Sequence, residues 1–213
     1  MTYEKLTQLD NDVSVSAHEK KYLLVNGSDS HHIIHLQDNS FLSLVLLVQD
    51  LQAGEAYESF DIHLEGEGAE LEMFFVSSTH AKENYKTKIE ITHKAANTKS
   101  RFYGRSVLRD ASILGSDLLV HIEKNARGSD SFVSHHALML SPDTRARIIP
   151  SLKIDENDVK AGHSATVEQY NIDEAFYAQS RGIELTDFIE MISESFVTRD
   201  LITSGKNDVI GEI

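Results

Sequence analysis

Residues 142–182 read PDTRARIIPSLKIDENDVKAGHSATVEQYNIDEAFYAQSRG, and most of what can be argued about this chain starts there. The Ala146–Ile154 run has strand character. A Gly/His/Ser/Thr turn is expected next, with one histidine, His163, at its centre. A helix follows, because Asn171-Ile-Asp-Glu174 is a capping box: a side-chain acceptor stands before the helix and Glu three residues on. That helix is expected to end near Ser180, with Gly182 as its C′ residue. A second helix is expected from about Thr186. There Leu185, Phe188, Ile189, Ile192 and Phe196 fall on one stripe. Thr203 to Ile213 is expected to fray.

Upstream, strand signals dominate. The runs are Tyr22–Val25, His31–Leu36, Phe41–Val48, Tyr57–Leu64, Ala69–Val76, Tyr85–Thr92, Arg101–Leu108, Ser112–His121 and Ser131–Leu140. In Tyr85–Thr92, Tyr85, Thr87, Ile89 and Ile91 share one face, and the other is wholly polar. Asn26-Gly27, Gly66-Glu-Gly68 and Ala126-Arg-Gly128 punctuate the runs. No strong helical period interrupts them, which argues against a doubly wound α/β fold. A β-sandwich, a barrel or a β-solenoid remains, and no strict hexapeptide repeat decides among them.

The chain has 213 residues, 40% apolar, with two prolines, 11 glycines and a formal charge of −14. Such a surface repels phosphate backbones and anionic lipid, so neither nucleic acid nor membrane is an expected partner. Cysteine and tryptophan are absent from the sequence. That removes disulfides and thiolate metal sites within these residues. The N-terminal stretch from Met1 to Leu24 carries charges throughout and has no signal-peptide apolar core. A cytoplasmic location is the expectation.

Pro150-x-Leu152-x-Ile154-x4-Val159-Lys160-x2-His163-x-Ala165-Thr166-Val167, then Phe176-Tyr177-x2-Ser180-Arg181-Gly182-Ile183, resembles the SufB/SufD family of iron–sulfur cluster assembly subunits. Ser106-Val-Leu-Arg-Asp110 and Leu138-Met-Leu-Ser141 fit the same family, and the resemblance covers about residues 97–202. It implies a mainly β fold: a right-handed parallel β-helix core, assigned to residues 1–155, and a small C-terminal α-helical domain, assigned to 156–213. It also implies a non-catalytic scaffold that pairs through the β-helix with a SufB-like subunit or a second copy. The helical domain is implied to dock a SufC-like ABC ATPase. Asn157-Asp-Val-Lys-Ala-Gly-His-Ser-Ala-Thr166 is closer to the SufD branch. Three departures stand out. Ala161 occupies a position where that branch usually has cysteine, His135 takes the place of the SufB branch's sulfur-accepting cysteine, and the family's N-terminal helical region has no counterpart in these residues.

The resemblance implies His163, and with it His135, as imidazole ligands for a transient iron or iron–sulfur cluster at a subunit interface, with no intrinsic cofactor. Imidazole can replace thiolate as a ligand but cannot carry a persulfide. His135 and His136 are strand neighbours, so only one can face His163. The bland reading of each is a hydrogen-bonded structural histidine. Phe176, Tyr177, Arg181, Gly182, Phe188 and Ile192 are the implied partner-binding residues, with Phe176 expected to be core and the second helix to supply more of the docking face.

On the residues alone a second class stays open: a β-solenoid or β-sandwich metalloenzyme, or a carbohydrate-active protein, using His31, His32 and His35. His31 and His35 share a strand face and His32 does not, and the general-base Glu of a zinc helix is missing. A phosphate-binding GxxxxGK[ST] loop and a GxSxG motif are both absent from the sequence.

Overall fold

The computed structural model describes residues 3–6, 9–27, 30–49, 51 and 54–213. Among them the chain winds through β1 (Glu4–Leu6), β2 (Asp12–Val15), β3 (Lys20–Asn26), β4 (His31–Leu36), β5 (Phe41–Val48), β6 (Glu55–Leu64) and β7 (Glu70–Thr79). It continues through β8 (Asn84–His93), β9 (Lys99–Leu108), β10 (Ile113–Ile122), β11 (Asp130–Met139), β12 (Arg145–Ile154) and β13 (Lys160–Gln169). Two helices, α1 (Ile172–Ser180) and α2 (Leu185–Thr203), and a 3-10 helix at Asn207–Glu212 follow.

Odd-numbered strands form one sheet and even-numbered strands the other, each in sequence order. Every pairing is parallel. The chain therefore crosses from sheet to sheet at every corner, which makes a parallel β-solenoid of two strands per turn. Phe41 pairs with Glu70, Glu70 with Lys99, Lys99 with Asp130 and Asp130 with Lys160, so corresponding positions recur at an almost constant spacing. The turn before them is shorter, with Lys20 paired to Phe41.

The corners explain why the repeat holds. His18, Asn39, Gly68, Asn97 and Gly128 all have positive φ. Each donates its N–H to the next turn: His18 to the Asp38 carbonyl, Asn39 to Glu67, Gly68 to Ala96, Asn97 to Arg127 and Gly128 to Asp158, at 2.7–3.1 Å. Gly and Asn suit that left-handed conformation. Gly66 is needed for a different reason, since a Cβ there would lie 1.9 Å from the Asp38 nitrogen.

The inward rows form the main core, with Leu42, Leu44, Leu46, Phe60, Phe75, Tyr85 and Phe102 almost fully buried. A second cluster lies outside the odd sheet, where Val45, Leu47, Phe74, Val76, Val107 and Leu138 meet Val197 and Leu201 of α2 and Val209 of the tail. This is why Phe41–Val48 reads as an unbroken apolar run. Leu42, Leu44 and Leu46 face the interior while Val45 and Leu47 are covered from outside. The outer face of the even sheet is largely exposed, and β8 and β10 alternate accordingly.

Charged clamps fix α2 across the odd sheet. Arg105 Nε donates to Asp200 Oδ2 at 2.6 Å and Nη2 to Oδ1 at 3.2 Å, with the guanidinium 5.0 Å from the Phe196 ring centroid. Arg109 grips both oxygens of Glu190 and donates to Ser193 Oγ at 3.1 Å.

Three expectations need correction. His163 is not on a turn: Lys160–Gln169 is a full edge strand paired with β11. The β body accordingly runs to Gln169, past the boundary placed at residue 155. The tail does not fray either, because Val209 and Lys206 are buried. Among the described residues no helix is long and apolar enough to cross a membrane.

Candidate functional site

The last turn of the solenoid is unsealed. β12 and β13 are the terminal strands of their sheets, so each leaves one main-chain edge unpaired. Register partners in a parallel sheet face the same way, so the inward row of β13 follows from its pairing. Ser131, Val133, His135 and Ala137 face the core, and opposite them stand Ala161, His163, Ala165 and Val167. On β12, Ile122 of the core pairs with Ile154. These end residues are poorly covered: Ile154 is 45% exposed and Val167 43%. Pro150, mid-strand in β12, is tolerated because the strand is an edge.

His163 lies in the middle of this open row, exposed, beside Val133. His135 is one inward position further along the neighbouring strand, in register with Ala165. The fold thus puts both histidines on the same inward face of adjacent strands but in opposite environments. His135 is fully buried, edge-on to Phe75 at 5.3 Å between centroids. A Cβ at Gly104 would come within 2.6 Å of its ring, so the glycine makes room for it. Ser77 Oγ donates to Ser106 Oγ at 2.7 Å, which leaves the Ser106 hydroxyl to meet His135 Nε2 at 2.9 Å. Burial, then the charges of His136 and Arg105, push the His135 pKa down to about 3. The ring is neutral, and its Nδ1 has no partner among the described residues. As a ligand, His135 is committed to the core: its ε nitrogen is used by Ser106 and its ring is shut from solvent.

His136 points the other way. Its Nε2 meets Ser134 Oγ at 2.8 Å and its Nδ1 meets Thr166 Oγ1 at 2.7 Å. Burial first and Arg105 second lower its pKa. The amino-terminal histidines divide as their alternation requires. His32 is inside, with Nε2 3.5 Å from Glu58 Oε1 and Tyr85 donating to that carboxylate. His31 and His35 are outside, the first 3.7 Å from Asp61 and the second 3.2 Å from Glu65. Among the described residues no three His, Asp or Glu side chains are grouped to hold a metal ion.

The helical pair adjoins the open end. Asn171 caps α1, accepting from the Asp173 N–H at 2.9 Å, and Gly182 has φ +86° at its other end. Ala175 and Ala178 are the α1 residues buried against Phe188, with Ile192 packed alongside. That small-residue face turns Phe176 and Tyr177 outward, at 72% and 60% exposure. Phe176 is therefore not core, and α1, not α2, carries the larger exposed aromatic surface. Arg181 lies over the Tyr177 ring at 5.2 Å. Of the six residues expected to bind a partner, Phe176, Tyr177 and Arg181 face solvent and Gly182 is a turn. Phe188 and Ile192 pack between the two helices. Ile172 and Met191 are exposed as well. A groove of about 400 Å³ runs between Tyr177, Ala178, Arg181, Ile183 and Phe188.

A family profile described as the SufBD core domain of SUF-system iron–sulfur cluster assembly matches residues 28–196. An iron–sulfur cluster assembly SufBD family protein of Mycobacterium leprae is 32% identical over 136 residues, 64% of this chain and 16% of that protein. A similarly named protein of Staphylococcus saprophyticus is 26% identical over 134 residues, 63% of this chain and 29% of its own length. The matched stretch thus spans less than a third of either relative. With the parallel solenoid and its helical appendage, the match places this chain in the SufBD core family of the SUF iron–sulfur cluster assembly system.

Proposed function

We propose that this chain is a SufD-like, non-catalytic scaffold of cytoplasmic iron–sulfur cluster assembly. In this reading the open solenoid end pairs with a SufB-like subunit or a second copy, and the helical pair docks a SufC-type ABC ATPase. The observation that carries it is the joining of two uncovered surfaces by one short stretch. Two long strand edges with a half-exposed apolar row lead directly into a helix with outward Phe176 and Tyr177. Long exposed edges are an aggregation liability unless a partner covers them.

The chemistry left to this chain's own residues is limited. His163 offers an imidazole at the pairing surface, a ligand type suited to iron, which enters as cargo. Without cysteine it cannot hold a persulfide, so sulfur arrives on a partner. Closure of two ATPase subunits on ATP would favour one arrangement of the helical pairs, and α2 would pass that preference to the odd sheet through the Arg105–Asp200 and Arg109–Glu190 clamps.

Co-purification with a candidate ABC ATPase, with and without Phe176→Ala/Tyr177→Ala, tests the docking. The expected result is complex formation and a changed ATPase rate with the parent chain, both lost in the variant. His163→Ala should leave the complex intact while lowering its retained iron and acid-labile sulfide. Unchanged iron and sulfide would remove His163 from the proposal.

A further inference from the structure

Lys206 is a cation the functional reading leaves unused. Its side chain is only 5% exposed, and its surroundings are aromatic. The ammonium lies 5.9 Å from the Tyr22 ring centroid, 6.0 Å from that of Phe41 and 6.0 Å from that of Phe74. Tyr3 stands edge-on to Tyr22 at 5.7 Å and completes the wall, its hydroxyl anchored on Ser43 Oγ at 2.8 Å. Glu72 Oε2 approaches the ammonium to 2.9 Å, off hydrogen-bond alignment. Burial by itself would lower the Lys206 pKa; Glu72 and Tyr3 outweigh it and raise it, so the side chain stays a cation. Three rings around the ammonium, the nearby Tyr3 hydroxyl and one carboxylate make the arrangement that selects ammonium groups.

The cage is built by three strands and closed by a separate piece of chain. Tyr22, Phe41, Glu72 and Phe74 stand on the outer face of β3, β5 and β7, and Tyr3 immediately precedes β1. Lys206 comes from the tail after α2. Gly205, with φ +71° and nothing within 4 Å of a Cβ placed there, turns the chain, and the Lys206 N–H bonds the Leu201 carbonyl at 2.8 Å. Val209 is buried and Ile213 packs beside it, Gln49 donates to the Ile213 carbonyl at 3.3 Å, and Lys5 pairs with Glu212 at 2.5 Å on the surface.

We infer that Tyr3, Tyr22, Phe41, Phe74 and Glu72 form an alkylammonium-binding site whose resident occupant, Lys206, is tethered and exchangeable, making residues 204–213 a releasable strap. The ligand class is a primary or methylated alkylammonium, such as a lysine side chain presented by another protein. A cation that displaced Lys206 would lift the strap from the odd sheet and free the contacts that tie Tyr3 and Lys5 to the C-terminal end.

The test uses the full chain with n-butylammonium and tetramethylammonium as probes, and with equal ionic strength of NaCl and uncharged n-butanol as controls. In Lys206→Ala the expected Tm is lower than that of the parent, and it climbs with the logarithm of n-butylammonium concentration. NaCl and n-butanol give no such rise, and the further change Glu72→Gln abolishes it. Lys206→Met keeps the stem's packing and serves if the alanine variant does not fold. In the unmodified chain, n-butylammonium should speed amide hydrogen exchange in residues 207–213 while leaving β9 to β11 unchanged. Equal response to n-butanol, or no response to any ammonium, overturns the site. Rescue of the variant without accelerated exchange in the parent overturns exchangeability.

Discussion

The two ends of the solenoid are built from the same parallel sheets and finished differently. At the amino-terminal end, Leu9, Val13 and Val15 are no more than 7% exposed, so the interior is covered there, beside short β1 and β2. At the carboxy-terminal end, β12 and β13 are each ten residues long, present free edges, and leave Ile154 and Val167 nearly half exposed. Short edge strands are a usual way of blunting a sheet, and long ones invite pairing. The difference teaches that fold and partner are separable here. Among the described residues one end is covered, while the other is a surface that the proposed pairing would cover.

The largest expected effect tests that asymmetry directly. Ile154→Asp with Val167→Asp should weaken association with a second copy or a SufB-like chain by about 100-fold or more, because an unpaired carboxylate buried in an apolar interface costs several kcal/mol. Sedimentation analysis reads it, and the isolated chain's Tm should barely move. Val15→Asp, the matching change at the sealed end, should unfold the chain instead. If both changes act alike, the contrast between the ends is lost.

The next effect concerns the element that links the ends' shared sheet to the helices. Arg105→Ala strands a largely buried Asp200 carboxylate and should cost about 3–5 kcal/mol in denaturant melts. Removing either partner of the exposed Arg127–Asp158 pair should leave stability almost unchanged.

A pH titration separates interior from surface. Burial, with Arg101 adding to it, lowers the His93 pKa to about 4, and His135 lies at about 3, both below the ordinary 6.5. The unfolded chain therefore binds protons that the folded chain refuses. Stability is present in full above about pH 6.5 and is lost as pH falls toward 3 to 4, by about 1.4 kcal/mol per unit per histidine. Thermal melts across that range should show the slope, and His93→Gln and His135→Gln should each flatten it.

A further effect sharpens how the interior near the open end is packed. Gly104→Ala places a methyl against the His135 ring and should cost about 1–3 kcal/mol. His135→Ala in the same chain should recover part of it, measured as a coupling energy in a double-mutant cycle.

The alternation of Tyr85–Thr92 and the unbroken run Phe41–Val48 announced strands, and the capping box announced α1, because these patterns depend on near neighbours. The β13 strand was hidden. Its outward residues touch solvent and its inward residues are half covered, so Lys160–Gln169 lacks the apolar rhythm by which strands are read. It is a strand because β11 supplies the hydrogen-bonding template, and that pairing overrides local propensity. The roles of Phe176 and His135 were hidden for a related reason, since both are fixed by what packs against them.

By itself the sequence determined the β-rich body, the absence of thiol chemistry within these residues, the capped helix and the motifs that resemble the SufB/SufD family. Those depend on residue type and short spacing. Tertiary structure alone decided the rest. The repeat lengthens after its first turns and then holds nearly constant, and it becomes visible only once strands are laid in register. Whether a histidine is a buried, neutral core residue or an exposed imidazole at an open end depends on the strand beside it, and that strand lies a full turn of the solenoid away along the chain.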